Sequence, residues 1–168
     1  TIAGMIGLLS TAVVGALLSL PDALRFTQFA FGGTYGYEIL ALYGFFSMTM
    51  FGAIYFIVPR VTNREWISGG LIRQHFWLSL YGVVFIGLFC CILGAFMHGY
   101  ALETLTVPAE SAQDRLFAYT VGVTTGWVFI ALSNIFFCLH LLLMWLRLGR
   151  RSSHPTLLEH HEPTLPAA

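Results

Sequence analysis

Residues 42–82, LYGFFSMTMFGAIYFIVPRVTNREWISGGLIRQHFWLSLYG, hold two apolar runs on either side of a short polar link. That stretch carries Arg60, Arg64, Glu65 and Arg73. Each run belongs to a segment long enough to cross a bilayer, which takes about 20 apolar residues. Composition agrees with a membrane solvent. Of the 168 residues, 57% are hydrophobic and 10% charged, against about 25% charged in globular proteins. The basic residues are eight arginines, and the formal net charge is zero. No global field therefore recruits nucleic acid or acidic partners. These features exclude a soluble domain and predict an all-α integral membrane protein, a four-helix transmembrane bundle.

In chain order, helix one is predicted over 2–20. Ala3, Gly7, Thr11, Gly15 and Ser19 recur every fourth residue and form a stripe of small side chains. In lipid such stripes let helix backbones approach closely, and packing is the reading preferred here over any ligand role. The segment lacks the basic leader of a cleaved signal peptide, so it reads as a span. Residues 22–35 form an aromatic-rich outer connection, as expected at a membrane interface. Helix two covers 36–58 and is expected to stop at Pro59 and Arg60. A Gly69-Gly70 turn then leads to helix three over 71–99. Residues 101–113 are a polar connection. Helix four runs from 114 to about 148, with Gly122-x-x-x-Gly126 as a close-packing motif and Asn134 expected to reach a neighbouring helix. The transmembrane domain is thus 1–150, and the polar tail 151–168, with Pro155, Pro163 and Pro166, is expected to be disordered.

Arginine sets the orientation. Arg60, Arg64, Arg73, Arg147, Arg150 and Arg151 fall on one side of a four-span chain, and Arg25 and Arg115 on the other. Six against two places both termini in the cytoplasm, in a bacterial inner membrane. Chemistry-bearing motifs are few. There is no CxxCH for covalent haem attachment, no Gly-rich phosphate loop, no pair of acid/base carboxylates and no nucleophile motif. Cys90, Cys91 and Cys138 sit in apolar runs and read as buried thiols. Glu38 is the one acid inside a span. An ionisable residue there is a functional candidate by default, but one turn from the helix end it reaches interfacial water, which is the preferred reading.

FGAIYFIVPR at 51–60 followed by LIRQHFWLSLYG at 71–82 resembles the catalytic subunit of C-type (cbb-type) heme–copper oxidases, in its last four transmembrane helices. The family pattern is Phe-Gly-x-x-Tyr, Pro-Arg, a short basic link, then His-Phe-Trp opening the next helix. Here these are Phe51, Gly52, Tyr55, Pro59, Arg60, His75, Phe76 and Trp77. Phe26-Thr27 extends the match backwards. The family's His-x-His, whose histidines bind the high-spin and low-spin haems, is replaced. Aligned from Pro59-Arg60 those positions become Tyr37 and Ile39; aligned from Phe26-Thr27 they become Gly33 and Tyr35. The helices that carry the copper ligands and the other haem ligand have no counterpart here. The resemblance therefore implies a subunit that is not an oxidase by itself.

Among the remaining ligands, His75 and His140 lie at comparable depth on helices three and four, while His98 is at the opposite face. A haem b held by His75 and His140 is geometrically conceivable, since haem ligation needs suitably placed imidazoles. The competing reading is structural pairing with polar groups of neighbouring helices. His154, His160 and His161, with Glu159 and Glu162, can meet a transition metal, but a flexible tail fixes no geometry. The leading expectation is a non-catalytic membrane subunit that scaffolds or assembles a respiratory complex. It has no cofactor of its own, and its partners are the bilayer and other membrane subunits, cytochrome c-type subunits among them. The alternatives are a haem b- or quinone-binding electron carrier using His75 and His140, and a fragment that completes an oxidase or nitric oxide reductase with a partner chain.

Overall fold

The computed structural model describes residues 2–21, 33–104 and 117–151, with side chains left aside at 33, 89–91 and 101–104. The described residues form four rods. Helix α1 is Ile2–Leu18. Helix α2 runs from 33 to 62 in three continuous parts: Gly33–Ile39, a π-helical stretch Leu40–Ser47, and Met48–Thr62. Helix α3 runs from 69 to 104 in the same manner, as Gly69–Val83, a π-helical Val84–Leu93, and Gly94–Thr104. Helix α4 is Phe117–Trp145. No β-strand occurs among the described residues. The one extended pairing is an isolated bridge between Arg64 and Arg151.

Among the described residues, three helices are long and apolar enough to cross a membrane: Thr34–Thr62, Gly69–Leu88 and Phe117–Trp145. Helix α1 is apolar but has 17 residues. Large side chains face outward along every rod, among them Leu9, Phe46, Leu88 and Ile135. Contiguous exposed apolar surface on this scale suits contact with lipid.

The rods meet through small residues. The buried face of α4 is Gly122, Gly126, Ile130, Ser133, Phe137, His140 and Met144. Its steps of three and four residues keep one line of sight along a 3.6-residue helix. It meets α3 where Gly82 and Gly126 face each other. A Cβ on Gly82 would lie 2.9 Å from the Gly126 carbonyl oxygen, and one on Gly126 would lie 3.1 Å from that of Gly82. The small stripe of α1 faces α2 in antiparallel fashion. A Cβ on Gly4 would strike Thr49, one on Gly7 would fall 2.1 Å from the Gly44 carbonyl oxygen, and one on Gly15 would sit 3.1 Å from the Tyr37 ring. The packing reading of that stripe therefore holds. Thr11 returns its hydroxyl to the Gly7 carbonyl at 2.8 Å. The central core joins Val14, Ile39, Leu40, Val83, Ile86 and Ile130 from all four rods.

Several predicted boundaries move. Helix α2 does not stop at Pro59 and Arg60; Pro59 lies inside its last turns and the helix ends at Thr62. Asn63 supplies the stop, with φ 51° in the left-handed region and its N–H on the Pro59 carbonyl. Asn tolerates that conformation better than most side chains do. Gly69 and Gly70 are the first turn of α3, not a separate turn. Helix α4 ends at Trp145, and Arg147 takes a left-handed φ of 58°. Asn134 bonds the Ile130 carbonyl of its own helix at 3.0 Å instead of reaching across. Eight residues from Gly126 rotate it about 80° off the contact line, while Ser133, seven residues on, stays within about 20°. Cys138 is exposed, not buried. Of the connections expected over 22–35 and 101–113, residues 33–35 open α2 and 101–104 close α3; the rest of both, and the histidine-bearing tail, lie outside the described residues.

The crossing of α1 over α2 gives a direct test. Gly7→Ala puts a methyl into backbone and should lower stability by about 1–3 kcal/mol, as overpacking does. Gly69→Ala, with nothing within 4 Å of its Cβ, should be neutral or slightly stabilising. Thermal unfolding in detergent compares the two; equal effects would mean that α1 does not press on Gly44.

Candidate functional site

Where the link joins α2 and α3, polar atoms are buried together. His75 and His140 are 1% and 0% exposed, and Ser79 and Ser133 are similarly enclosed. In apolar surroundings each such group must find a partner inside the protein. On α3, His75, Ser79 and Gly82 fall on one face by their spacing. On α4, Ser133, Phe137 and His140 do the same. The two faces are thereby brought into register.

Hydrogen bonds then tie the helices. The Ser133 hydroxyl donates to the His75 carbonyl oxygen at 3.0 Å. Its single proton being used, the close Ser79–Ser133 contact has Ser79 as the donor. Tyr55 on α2 meets the His75 ring, with its oxygen 3.0 Å from Nδ1. If Tyr55 donates to Nδ1, only the Nε2–H of His75 goes unmet. The opposite tautomer would leave both the tyrosine proton and the Nε2 lone pair without partners, so we assign the first by counting partners.

The backbone of Tyr55 is equally occupied. Pro59 stands four residues on and has no N–H, so the Tyr55 carbonyl loses its helical donor. The Trp66 indole supplies one, donating to that carbonyl at 2.9 Å. One proline inside α2 thus creates the acceptor that fixes the link onto the helix. Aromatic rings close the rest. His75 lies edge-on to Phe51 at 4.5 Å and stacks on Phe137 at 5.0 Å. Trp66 covers His140 at 4.5 Å, and Tyr55 touches both imidazoles, at 5.6 and 6.2 Å.

Three imidazole nitrogens in this cluster have no hydrogen-bond partner: Nε2 of His75 and both ring nitrogens of His140. The structure therefore does bring the predicted pair His75 and His140 to one place. It buries their unpartnered ring nitrogens, while His75 and Tyr55 also line a groove beside α2 and α3. A porphyrin bonded to any of these nitrogens needs open space beside it, and all three are enclosed by protein atoms. Phe51, Phe137 or Trp66 would have to move. In this packing the residues do not fit a haem. Among the described residues no group of three or more His, Cys, Asp or Glu side chains stands ready for a metal ion either.

Tyr35, Tyr37 and Ile39 are used for packing. Ile39 is buried in the central core, Tyr37 rests against Gly15, and the Tyr35 hydroxyl accepts from the Trp127 indole at 3.1 Å. Glu38 is exposed on α2. On the link side, Arg64 donates to the carbonyls of Arg147 and Gly149, the latter at 2.8 Å. A cation there suits the negative end of the α4 dipole. The Glu65 N–H donates to the Arg150 carbonyl at 2.9 Å, so the segment after α4 folds back onto the link. Sequence reasoning missed Tyr55, Trp66 and Ser133 as members of the site. A signal was present for Trp66: a proline four residues after Tyr55 announces a carbonyl in need of a donor.

A scan against protein-family models finds no match for the chain, and a search of curated proteins finds none.

The carbonyl argument predicts a rescue. Trp66→Phe keeps an aromatic ring but leaves the Tyr55 carbonyl unmet, a loss of about 1–3 kcal/mol. Adding Pro59→Ala restores a helical N–H to that carbonyl and should recover part of the loss. Chemical unfolding of the single and double variants in mixed micelles measures it; a double variant weaker than the sum of the singles would refute the assignment.

Proposed function

We propose that this chain is a four-span, non-catalytic membrane subunit of a heme–copper-oxidase-like respiratory complex, structural or assembly in role. Its partners are other membrane subunits, cytochrome c-type subunits among them, in a bacterial inner membrane. One observation carries the reading. The residues of the oxidase-like pattern, Phe51, Tyr55, Pro59 and His75, are spent on packing and on bonds between α2, the link and α3. A unit that keeps such contacts while Tyr37 and Ile39, or Gly33 and Tyr35, replace the haem ligands retains the assembly surfaces of the family without its redox centre.

The enclosure of the imidazole nitrogens of His75 and His140 speaks against an electron carrier built on that pair. In this reading helix α1 is the fourth span, since its 17 residues, mostly apolar, reach the lower end of the spanning range of about 17–25. The excess of arginine beside the link and after α4 supports cytoplasmic termini.

A single tagged preparation tests both halves of this reading. With an affinity tag at the C-terminus, the chain should co-purify from mild detergent with haem-bearing membrane subunits and oxygen-reducing activity. The tag should resist protease in intact spheroplasts and be cut in inverted vesicles. Recovery of the chain alone would contradict the subunit reading, and cleavage from outside the orientation.

A further inference from the structure

A groove of about 950 Å³ is lined by residues of α2 and α3, with Ala3 of α1; Gly52, Ala53, Phe56, Ile72 and Arg73 are among them, and Tyr55 and His75 of the buried cluster also contribute. Its walls are almost wholly apolar, and its link-side mouth is cationic. Arg73 is exposed and contributes directly to the lining. Arg60 lies over the ring of Phe56, with its guanidinium carbon 3.5 Å from the centroid, and Phe56 is itself a wall of the groove. Arg60 gives one N–H to the Phe56 carbonyl at 2.7 Å, which leaves most of its five donors available. Among the described residues neither guanidinium has a carboxylate partner.

We propose that this groove is a binding site for an anionic phospholipid. One acyl chain lies along Gly52, Ala53 and Ile72, and the phosphate is held at the mouth by Arg60 and Arg73. Charge complementarity selects this occupant. A membrane-facing apolar slot that ends in two uncompensated guanidiniums matches a molecule with an apolar tail and an anionic head. Arginine forks suit phosphate oxygens in particular. A plain hydrocarbon would leave the cations unanswered, and a free phosphate would leave the slot unfilled. The inference rests on the membrane reading alone, not on the proposed respiratory partners, and resistance of the chain to carbonate extraction checks that reading separately.

Native mass spectrometry of the full chain in detergent tests the site, with phosphatidylglycerol, phosphatidylcholine and diacylglycerol of matched chains, and inorganic phosphate as competitor. Phosphatidylglycerol should bind tightest, and inorganic phosphate should not displace it. Each arginine removed, as Arg60→Gln or Arg73→Gln, should weaken phosphatidylglycerol about fivefold and leave diacylglycerol unchanged. Arg73→Lys, which keeps the charge, should retain the preference. Ala53→Phe, which fills the slot, should weaken all three lipids. Size-exclusion profiles and helical circular dichroism verify that each variant is folded. Equal binding of phosphatidylglycerol and diacylglycerol, full affinity in the Arg60→Gln/Arg73→Gln double variant, or displacement by inorganic phosphate alone would overturn the proposal.

Discussion

Tyr55 is the residue on which the link-side half of the structure depends. Its hydroxyl meets His75 on α3, its carbonyl takes the Trp66 indole proton from the link, and its ring touches Phe137 and His140 on α4. Three elements are thereby fixed to α2 at one point. In lipid no water replaces a lost hydrogen bond, and interhelical bonds there average about 0.6 kcal/mol, with a maximum near 1.7. The tie is individually modest, but removing one partner strands the other in an apolar interior. The Ser79–Ser133 pair and the His75 carbonyl extend it toward the middle of the bundle. From there the Gly82–Gly126 crossing continues the α3–α4 contact with no polar side chain.

This arrangement gives a physical account of the run from Phe51 to Trp77. Pro59 removes a donor, Trp66 restores it, and Tyr55 engages His75. Each residue of the pattern answers a demand made by another. Such a set is self-sufficient as a packing device, and it remains useful whether or not a haem is bound elsewhere in an assembly. At the other end of α2, Ile39 fills the core and Tyr35 and Tyr37 contact Trp127 and α1. Both ends of α2 are thus committed to holding the bundle together.

The membrane character, the helical class and the position of the link were legible because they depend on long apolar runs and on arginine, which act independently of tertiary detail. The small stripe of α1 was legible for the same reason, since Gly7 and Gly15 have few uses other than close approach. His75 and His140, placed at comparable depth by the sequence, both lie buried beside Tyr55. Finer features were not legible. Pro59 was read as a stop because its missing N–H usually ends a helix, whereas here a side chain from outside the helix supplies the donor. Asn134 was read as continuing the Gly122 and Gly126 face two turns on, although Ser133 is the residue in phase with Gly126. The π-helical stretches at Leu40–Ser47 and Val84–Leu93 have no distinctive composition. They re-phase α2 and α3 against their neighbours, as in the contact of Leu40 with Gly87, and that demand exists only in the assembled bundle.

His75 and His140 share a buried cluster of rings and hydroxyls, and the proposed function gives that cluster a structural role. The visible spectrum of the detergent-purified chain, expressed with ample haem supply and followed by a pyridine-haemochrome assay, tests this most directly. The account predicts no Soret band and no extractable haem from the chain alone. Stoichiometric haem b that disappears in both His75→Ala and His140→Ala would contradict it, because the imidazole nitrogens would then have to open onto a porphyrin that this packing does not admit.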